Sequence, residues 1–312
     1  MRYIIADLEW NGTFRRQTGC YFNEIIEIGA VKLNDKLEVV DEFHKFISPK
    51  FSTRISGVVR NLTSLSYDDL RDGESFFDAA EAFRRWKGDN SVVMTWGSTD
   101  LYVLLENCRF FFGTDSIPFL RLYANLQKYV QARVSDTSGN HLGLSNAARQ
   151  LNIPVDTSTL HHALGDAQLS ADIFREVFGP GTLRPFIKSA KNKDFYDRMV
   201  FKSIIISNIN NPLVDTDAIN FSCIACHTDA VRETDWVFKS RGFKATFACP
   251  KCGVSFVGRA QYKITYDGVT VKRSAYESLD RPPVLIEKIG CKTNDRMDLL
   301  RAAAYARGHS AG

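Results

Sequence analysis

Asp7 and Glu9 close the first apolar run of the chain, Tyr3-Ile4-Ile5-Ala6. An extended strand sends alternate side chains to one face, so both carboxylates point the same way while Leu8 turns inward. Two acids a few ångströms apart at a strand end repel each other and resist desolvation unless a cation neutralises them. A divalent metal is therefore the first expectation. Asp-x-Glu alone reads equally well as a polar strand end; its weight depends on acids at later element ends that converge on the same ion.

Two further places supply them. Asp100 follows Gly97-Ser98-Thr99, where an apolar strand over 92–96 gives way to a helix through Leu101, Leu104, Leu105 and Cys108. Such a residue serves as a first-turn acid for its helix or presents a carboxylate above the sheet edge, the usual place for sites in open α/β sheets. Asp166 lies on a helix whose stripe of Ala163, Ala167, Ala171, Phe174 and Phe178 faces a core, one position off that stripe. A half-buried carboxylate with no basic neighbour wants a metal. His161 precedes it by five residues at the helix entrance, with His162 as its rival; a capping or packing role is the plain alternative for either.

The elements that must hold these groups follow an α/β pattern. Strands are expected over 24–33 and 38–47, which with the first strand make a β-meander, and an amphipathic helix over 75–86 carries Phe76, Ala79, Ala80 and Phe83. Residues 119–128 and 144–151 continue the alternation. Leu62 and Leu65 flank hydroxyls in a loop or short helix, as core residues or as a wedge against a nucleobase.

With 312 residues the chain is long enough for two domains and a sizeable core. No apolar stretch approaches the about 18 residues that span a bilayer, and the start lacks a basic-then-apolar leader pattern, so no membrane partner and a cytoplasmic location are expected. Seven cysteines, an odd count, argue against a disulfide framework. The net charge of +4 conceals an asymmetry: residues 1–180 hold 19 Lys+Arg against 23 Asp+Glu, and residues 181–312 hold 21 against 13. A basic half joined to an acidic half that collects metals suits a polyanionic partner.

Taken together and in order, Asp7-x-Glu9, Asp100 with Leu104, and His161 with four intervening residues before Asp166 resemble the three sequence blocks of the DEDDh 3′→5′ exonucleases. The resemblance covers residues 1–178, and the Asp-Leu-Glu-Trp and Leu-Thr-Ser-Leu segments look most like the subgroup related to RNA-trimming enzymes. It implies a ribonuclease-H-like mixed sheet flanked by helices and hydrolysis of RNA or single-stranded DNA from the 3′ end, releasing nucleoside 5′-monophosphates. It also implies two Mg²⁺ or Mn²⁺ ions about 3.5–4 Å apart. Asp7 would bridge both, Glu9 and Asp166 would complete the nucleophile-side ion, and Asp100 would hold the second directly or through water. His161 would take the proton from the attacking water, and Leu62 and Leu65 would contact the terminal nucleotide. Alternatives are a DNA proofreading or repair exonuclease and a non-catalytic nucleic-acid-binding adaptor. A pure adaptor has no need of four mutually repelling acids.

Gly179-Pro180-Gly181 breaks the chain after Phe178. Residues 1–206 are read as the first domain, 207–220 as a linker, 221–275 as a second domain and 276–312 as an extension with a helix over 297–306. The second domain rests on Cys223-x-x-Cys226 and, after 22 residues, Cys249-x-x-Cys252. Two such knuckles make a tetrahedral four-thiolate site for a structural Zn²⁺ in a small β-rich ribbon, whose folding energy would come largely from the metal. Redox use is the minor alternative. Lys239, Arg241, Lys244, Arg259, Lys263, Lys272 and Arg273 are interleaved with Trp236, Phe238, Phe243, Tyr262 and Tyr266, a mixture expected of a face that pairs phosphate contacts with base stacking.

Overall fold

The computed structural model describes residues 1–15, 19–52, 54–63, 65–134, 142–156, 160–277 and 283–291, with backbone alone over 285–291. The helix expected over 297–306 lies outside them. The chain divides into two compact units, Met1–Val200 and Phe201–Gly312.

The first unit opens with an antiparallel meander of β1 (Arg2–Arg15), β2 (Cys20–Leu33) and β3 (Val39–Phe46). Helices α1 (Gly57–Thr63), α2 (Tyr67–Arg71) and α3 (Phe76–Lys87) follow. Strand β4 (Ser91–Thr95) then runs parallel to β1, and after α4 (Thr99–Phe112) β5 (Leu122–Asn125) runs parallel to β4. The unit continues through α5 (Leu126–Arg133), α6 (Leu144–Gln150), α7 (Ala163–Val177) and α8 (Pro180–Leu183). It closes with β6 (Lys188–Ser189), antiparallel to β5, and α9 (Lys193–Val200). The sheet order is β3-β2-β1-β4-β5-β6, a mixed sheet with helices on both faces.

Alternation along β1 decides which layer each side chain meets. Ile4, Ala6 and Leu8 pack with Phe83, Leu101 and Leu105 in the layer of α3 and α4. Tyr3 and Ile5 pack with Tyr129, Ala167 and Phe174 in the layer of α5 and α7. The odd face that bears Asp7 and Glu9 is therefore the face that α7 covers. These acids do not end their strand as expected, because β1 continues to Arg15 as half of a long hairpin. What stops beside them is β4: its pairing with β1 ends at Ile5–Met94, so the edge of β1 at Leu8 lies open.

The close seating of α7 depends on small residues. Ala163, Ala167 and Ala171 are buried along its inner face. A Cβ on Gly29 of β2 would fall 2.1 Å from the Ala163 carbonyl carbon and the Leu164 nitrogen, so only glycine lets the helix start that near the strand.

The second unit is antiparallel: β7 (Ile204–Ile205), β8 (Val231–Arg232), β9 (Val237–Phe238), β10 (Phe243–Ala248), β11 (Ser255–Thr265), β12 (Gly268–Tyr276) and β13 (Leu285–Cys291). The order is β13-β12-β11-β10-β8, with β7 on β11 and β9 on β10. Residues 201–206 therefore fall in this unit rather than the first, because Ile204 and Ile205 pair with β11 and Ile206 is buried in its core. The expected linker also packs there: Ile219 is buried and Ile209, Leu213 and Val214 lie against the same core. Phe221, Phe243, Phe247 and Phe256 make that core a substantial one. The unit is thus better stocked with apolar side chains than a ribbon that relies on its metal alone.

Candidate active site and thiolate centre

Oxygens of Asp7, Glu9 and Asp166 lie within 4.8 Å of one another, brought together from β1 and from the first turn of α7. Asp100 reaches the same region from the opposite layer. It is 5% exposed in the first turn of α4, and its Oδ1 accepts the Leu8 N–H at 3.2 Å. That N–H lies on the strand edge that β4 has left, so the carboxylate satisfies an otherwise orphaned donor. Asp100 stands apart from the three-acid group for this reason, although it is near enough to raise the proton affinity of Asp7.

Repulsion and burial act together on all four acids. Asp7 is held well above the ordinary carboxylate range, mainly by burial and then by Asp100, Asp166, Glu9 and Glu27. Glu9 is pushed up to about 8 by burial, with Glu27, Asp166 and Asp100 adding to it. Asp100 reaches about 6 by burial, against the pull of its own and the Leu8 backbone N–H. Asp166 is raised by burial, opposed by the His161 N–H, which donates to its Oδ2 at 3.3 Å. Its Oδ1 is buried with no hydrogen-bond partner. Hard oxygens that repel one another, one of them without a donor, are a ligand set for a divalent cation, and Mg²⁺ or Mn²⁺ fits them better than a softer metal.

The two histidines differ. His162 caps α7 and turns its Nδ1 toward Glu27 Oε2 at 4.0 Å. His161 is exposed and adopts φ 63°, a left-handed conformation uncommon for a residue with a side chain. Glu27 was not among the residues singled out from sequence. It sits on β2 directly opposite Glu9, is 0% exposed, bonds His44 Nε2 through Oε1 at 2.8 Å, and leaves Oε2 without a hydrogen bond. Its only signal is a charged residue inside an apolar strand covered on both faces. Leu62 and Leu65 are not brought together: Leu62 is 51% exposed on α1, whereas Leu65 is buried against Ile26 and Leu70.

In the second unit the four thiols converge. Cys223 and Cys252 sulfurs are 3.5 Å apart, Cys226 and Cys249 sulfurs 3.4 Å, and all four lie within 4.8 Å. Each knuckle repeats one backbone pattern. Cys223 N–H donates to Thr228 O and His227 N–H to Cys223 O, while Cys249 N–H donates to Val254 O and Gly253 N–H to Cys249 O. His227 and Gly253 take the same positive φ at the same step. Backbone N–H groups of Ala225 and Cys252 point at the Cys223 and Cys249 sulfurs. Bonding to Thr228 brings Cys226 down to about 6. For Cys252 the Val254 N–H pulls downward, and the Cys249 sulfur, burial and the other two sulfurs outweigh it, giving about 12. Four sulfurs within 4.8 Å of one another match a tetrahedral thiolate site of the kind zinc fills.

The aromatic half of the expected stacking face is largely turned away from it: Phe238, although 39% exposed, pairs with Phe243 and packs on its ring. Phe243 and Tyr262 are buried, and Trp236 packs on Phe247. The alternation that turns them inward turns lysines outward.

A mixed sheet between two helical layers, with acids from β1, α4 and α7 meeting where β4 leaves β1, defines a ribonuclease-H-like fold of the exonuclease type. The Exonuclease (RNase T) family model matches residues 4–174, more than half of the chain, and the chain belongs to that family. It is 28% identical over 180 residues to the probable 3′-5′ exonuclease KapD of Bacillus subtilis, covering 56% of this chain and 83% of that protein. It is 25% identical over 247 residues to the DNA polymerase III subunit epsilon of Rickettsia conorii, covering 79% and 99%. Among solved structures it is similar to the nuclease domain of 3′hExo, a DEDDh family member bound to rAMP, at 22% identity and a TM-score of 0.49, covering 56% of this chain and 90% of that one.

Proposed function

We propose that the chain is a metal-dependent 3′→5′ exonuclease that removes nucleoside 5′-monophosphates from single-stranded RNA or DNA. The observation that carries this reading is the meeting of Asp7, Glu9 and Asp166 oxygens within 4.8 Å, with Asp166 Oδ1 lacking any donor. These three residues would hold one divalent ion, and Asp100 with Asp7 a second. Bound there, the ions supply charge stabilisation for the phosphoryl and leaving oxygens.

The remaining roles belong to the chain itself. His161 takes the proton of the attacking water at a ring nitrogen. His162 is the less available base because its ring is turned toward Glu27, whereas His161 is exposed. The Asp166 bond to the His161 N–H keeps that residue in its left-handed turn. Leu62, exposed on α1, is free to press on the terminal nucleobase, whereas Leu65, buried, is left a core role.

The test uses matched RNA and DNA oligonucleotides labelled at the 5′ end, incubated with Mg²⁺. A ladder that shortens from the 3′ end, absent in EDTA and with Asp7→Ala, is the expected result. Unchanged length with a gel shift would favour the adaptor. Similarity to the epsilon subunit over 99% of its length favours a second reading, trimming of DNA 3′ ends during replication or repair. DNA degraded much faster than RNA would select it.

A further inference from the structure

Five basic residues of the second unit gather on one face without acids to balance them. In β10 and β11 the buried positions alternate with outward ones, with Lys244 registered with Arg259, and β12 brings Lys272 into register with the outward Gln261. The outward positions of these strands carry Lys244, Arg259, Lys263 and Lys272 and no Asp or Glu. Among the described residues, none of these four has an ion-pair partner.

Over this face lies the turn between β9 and β10. Lys239 N–H donates to Gly242 O across a two-residue turn whose central residues, Ser240 and Arg241, have φ 54° and 63°. That is the type I′ pattern, for which Asn-Gly is the easy sequence; Ser and Arg adopt it under strain. The strain is held in place by the outward face itself. Arg259 donates to Ser240 O at 3.0 Å, and Gln261 donates to Arg241 O at 2.7 Å. A cation is thereby fixed, exposed, at a position where a glycine would fold more readily.

We propose that this face, with Arg241 at its corner, is a phosphate-binding surface for single-stranded nucleic acid. The inference deepens the nuclease reading and rests on it for the choice of polyanion. With Phe243 and Tyr262 turned inward, the grip is electrostatic, so it is insensitive to base identity and steeply dependent on salt.

The experiment measures binding, without turnover, of full-length Asp7→Ala protein to a 5′-fluorescent single-stranded 20-mer across a salt series. Adding Arg241→Ala, Lys244→Ala and Lys272→Ala should weaken binding and make the slope of log K against log salt shallower by about 2, three contacts at roughly 0.7 each for single strands. A control removing Arg85, Lys128 and Arg149, exposed cations of the first unit, should change the slope far less. The double variant Ser240→Asn, Arg241→Gly should raise Tm while lowering affinity, opposite movements that a merely structural turn would not produce. An unaltered slope in the triple variant, equal losses in the control, or a double variant with unchanged affinity would overturn the proposal. An unaltered slope would point instead to an acidic protein as the partner. Hydrolysis of a trinucleotide by protein with Asp7 intact, measured alongside, reports separately on the nuclease reading.

Discussion

The two ligand clusters of this chain are built by opposite means. Each cysteine knuckle is local: five or six residues repeat one hydrogen-bond pattern, and two copies face each other with sulfurs 3.4–3.5 Å apart. The acid site has no local unit. Asp7 and Glu9 come from one strand, Asp100 from a helix in one layer and Asp166 from a helix in the other, and the fold forces them together against their repulsion. The first arrangement is suited to closing around an ion. The second leaves a repulsion among acids that a bound cation would relieve.

The largest effect expected is on the thiolate side. Cys226→Ser with Cys249→Ser removes a ligand from each knuckle, and metal binding at such sites contributes on the order of 10 kcal/mol, comparable to a whole domain's stability. Hydrogen exchange should show the second unit unprotected and the first unchanged. Retained protection would mean that the core around Phe247 suffices by itself. On the acid side, Asp7→Ala should cut turnover on the order of 10²–10³-fold or more and yet raise Tm in EDTA, because one of the repelling charges is gone. A fall in Tm would contradict the account of the site as strained.

Gly29→Ala tests how the acids are delivered. A methyl group 2.1 Å from the α7 backbone must push the helix outward, costing about 3 kcal/mol of stability and about 10²-fold in activity through misplacement of Asp166. Glu27→Gln keeps the bond to His44 but drops one charge beside Glu9, and should lower activity about 10-fold with KM little altered. A wild-type rate would leave Glu27 with no part in the site. The smallest effect is the pH dependence. Carboxylates raised in the folded state, Glu9 to about 8 and Asp100 to about 6, keep protons that the unfolded chain has released. Their contribution is therefore full below the unfolded pKa and is lost as pH rises through the folded values, so Tm in EDTA should fall between about pH 5 and 8. Added Mn²⁺ should restore it, more at pH 8 than at pH 5.5.

The same contrast explains what was legible in the sequence. The knuckles are read directly because their geometry is contained in the Cys-x-x-Cys spacing. The four acids are read only in combination, since each is an ordinary residue until α4 and α7 are folded onto β1. Helices α3, α4 and α7 follow their apolar stripes closely. Three features escaped. Asp7 lies in mid-strand because pairing of Trp10 to Arg15 with β2, across a bulge after Glu9, extends the hairpin beyond the apolar run. Residues 201–206 join the second unit through a partner about 60 positions away in β11. Glu27 and Gly29 take their meaning from contacts with Glu9 and Ala163 that no local pattern announces.

Mn²⁺ titration of the protein, followed by electron paramagnetic resonance, tests most directly that the acids together form a cation-binding centre. Binding that tightens from pH 6 to 8.5 as Glu9 and Asp100 lose their protons, and that is lost with Asp7→Ala, is the result predicted. Binding indifferent to Asp7, or none at any pH, would contradict it.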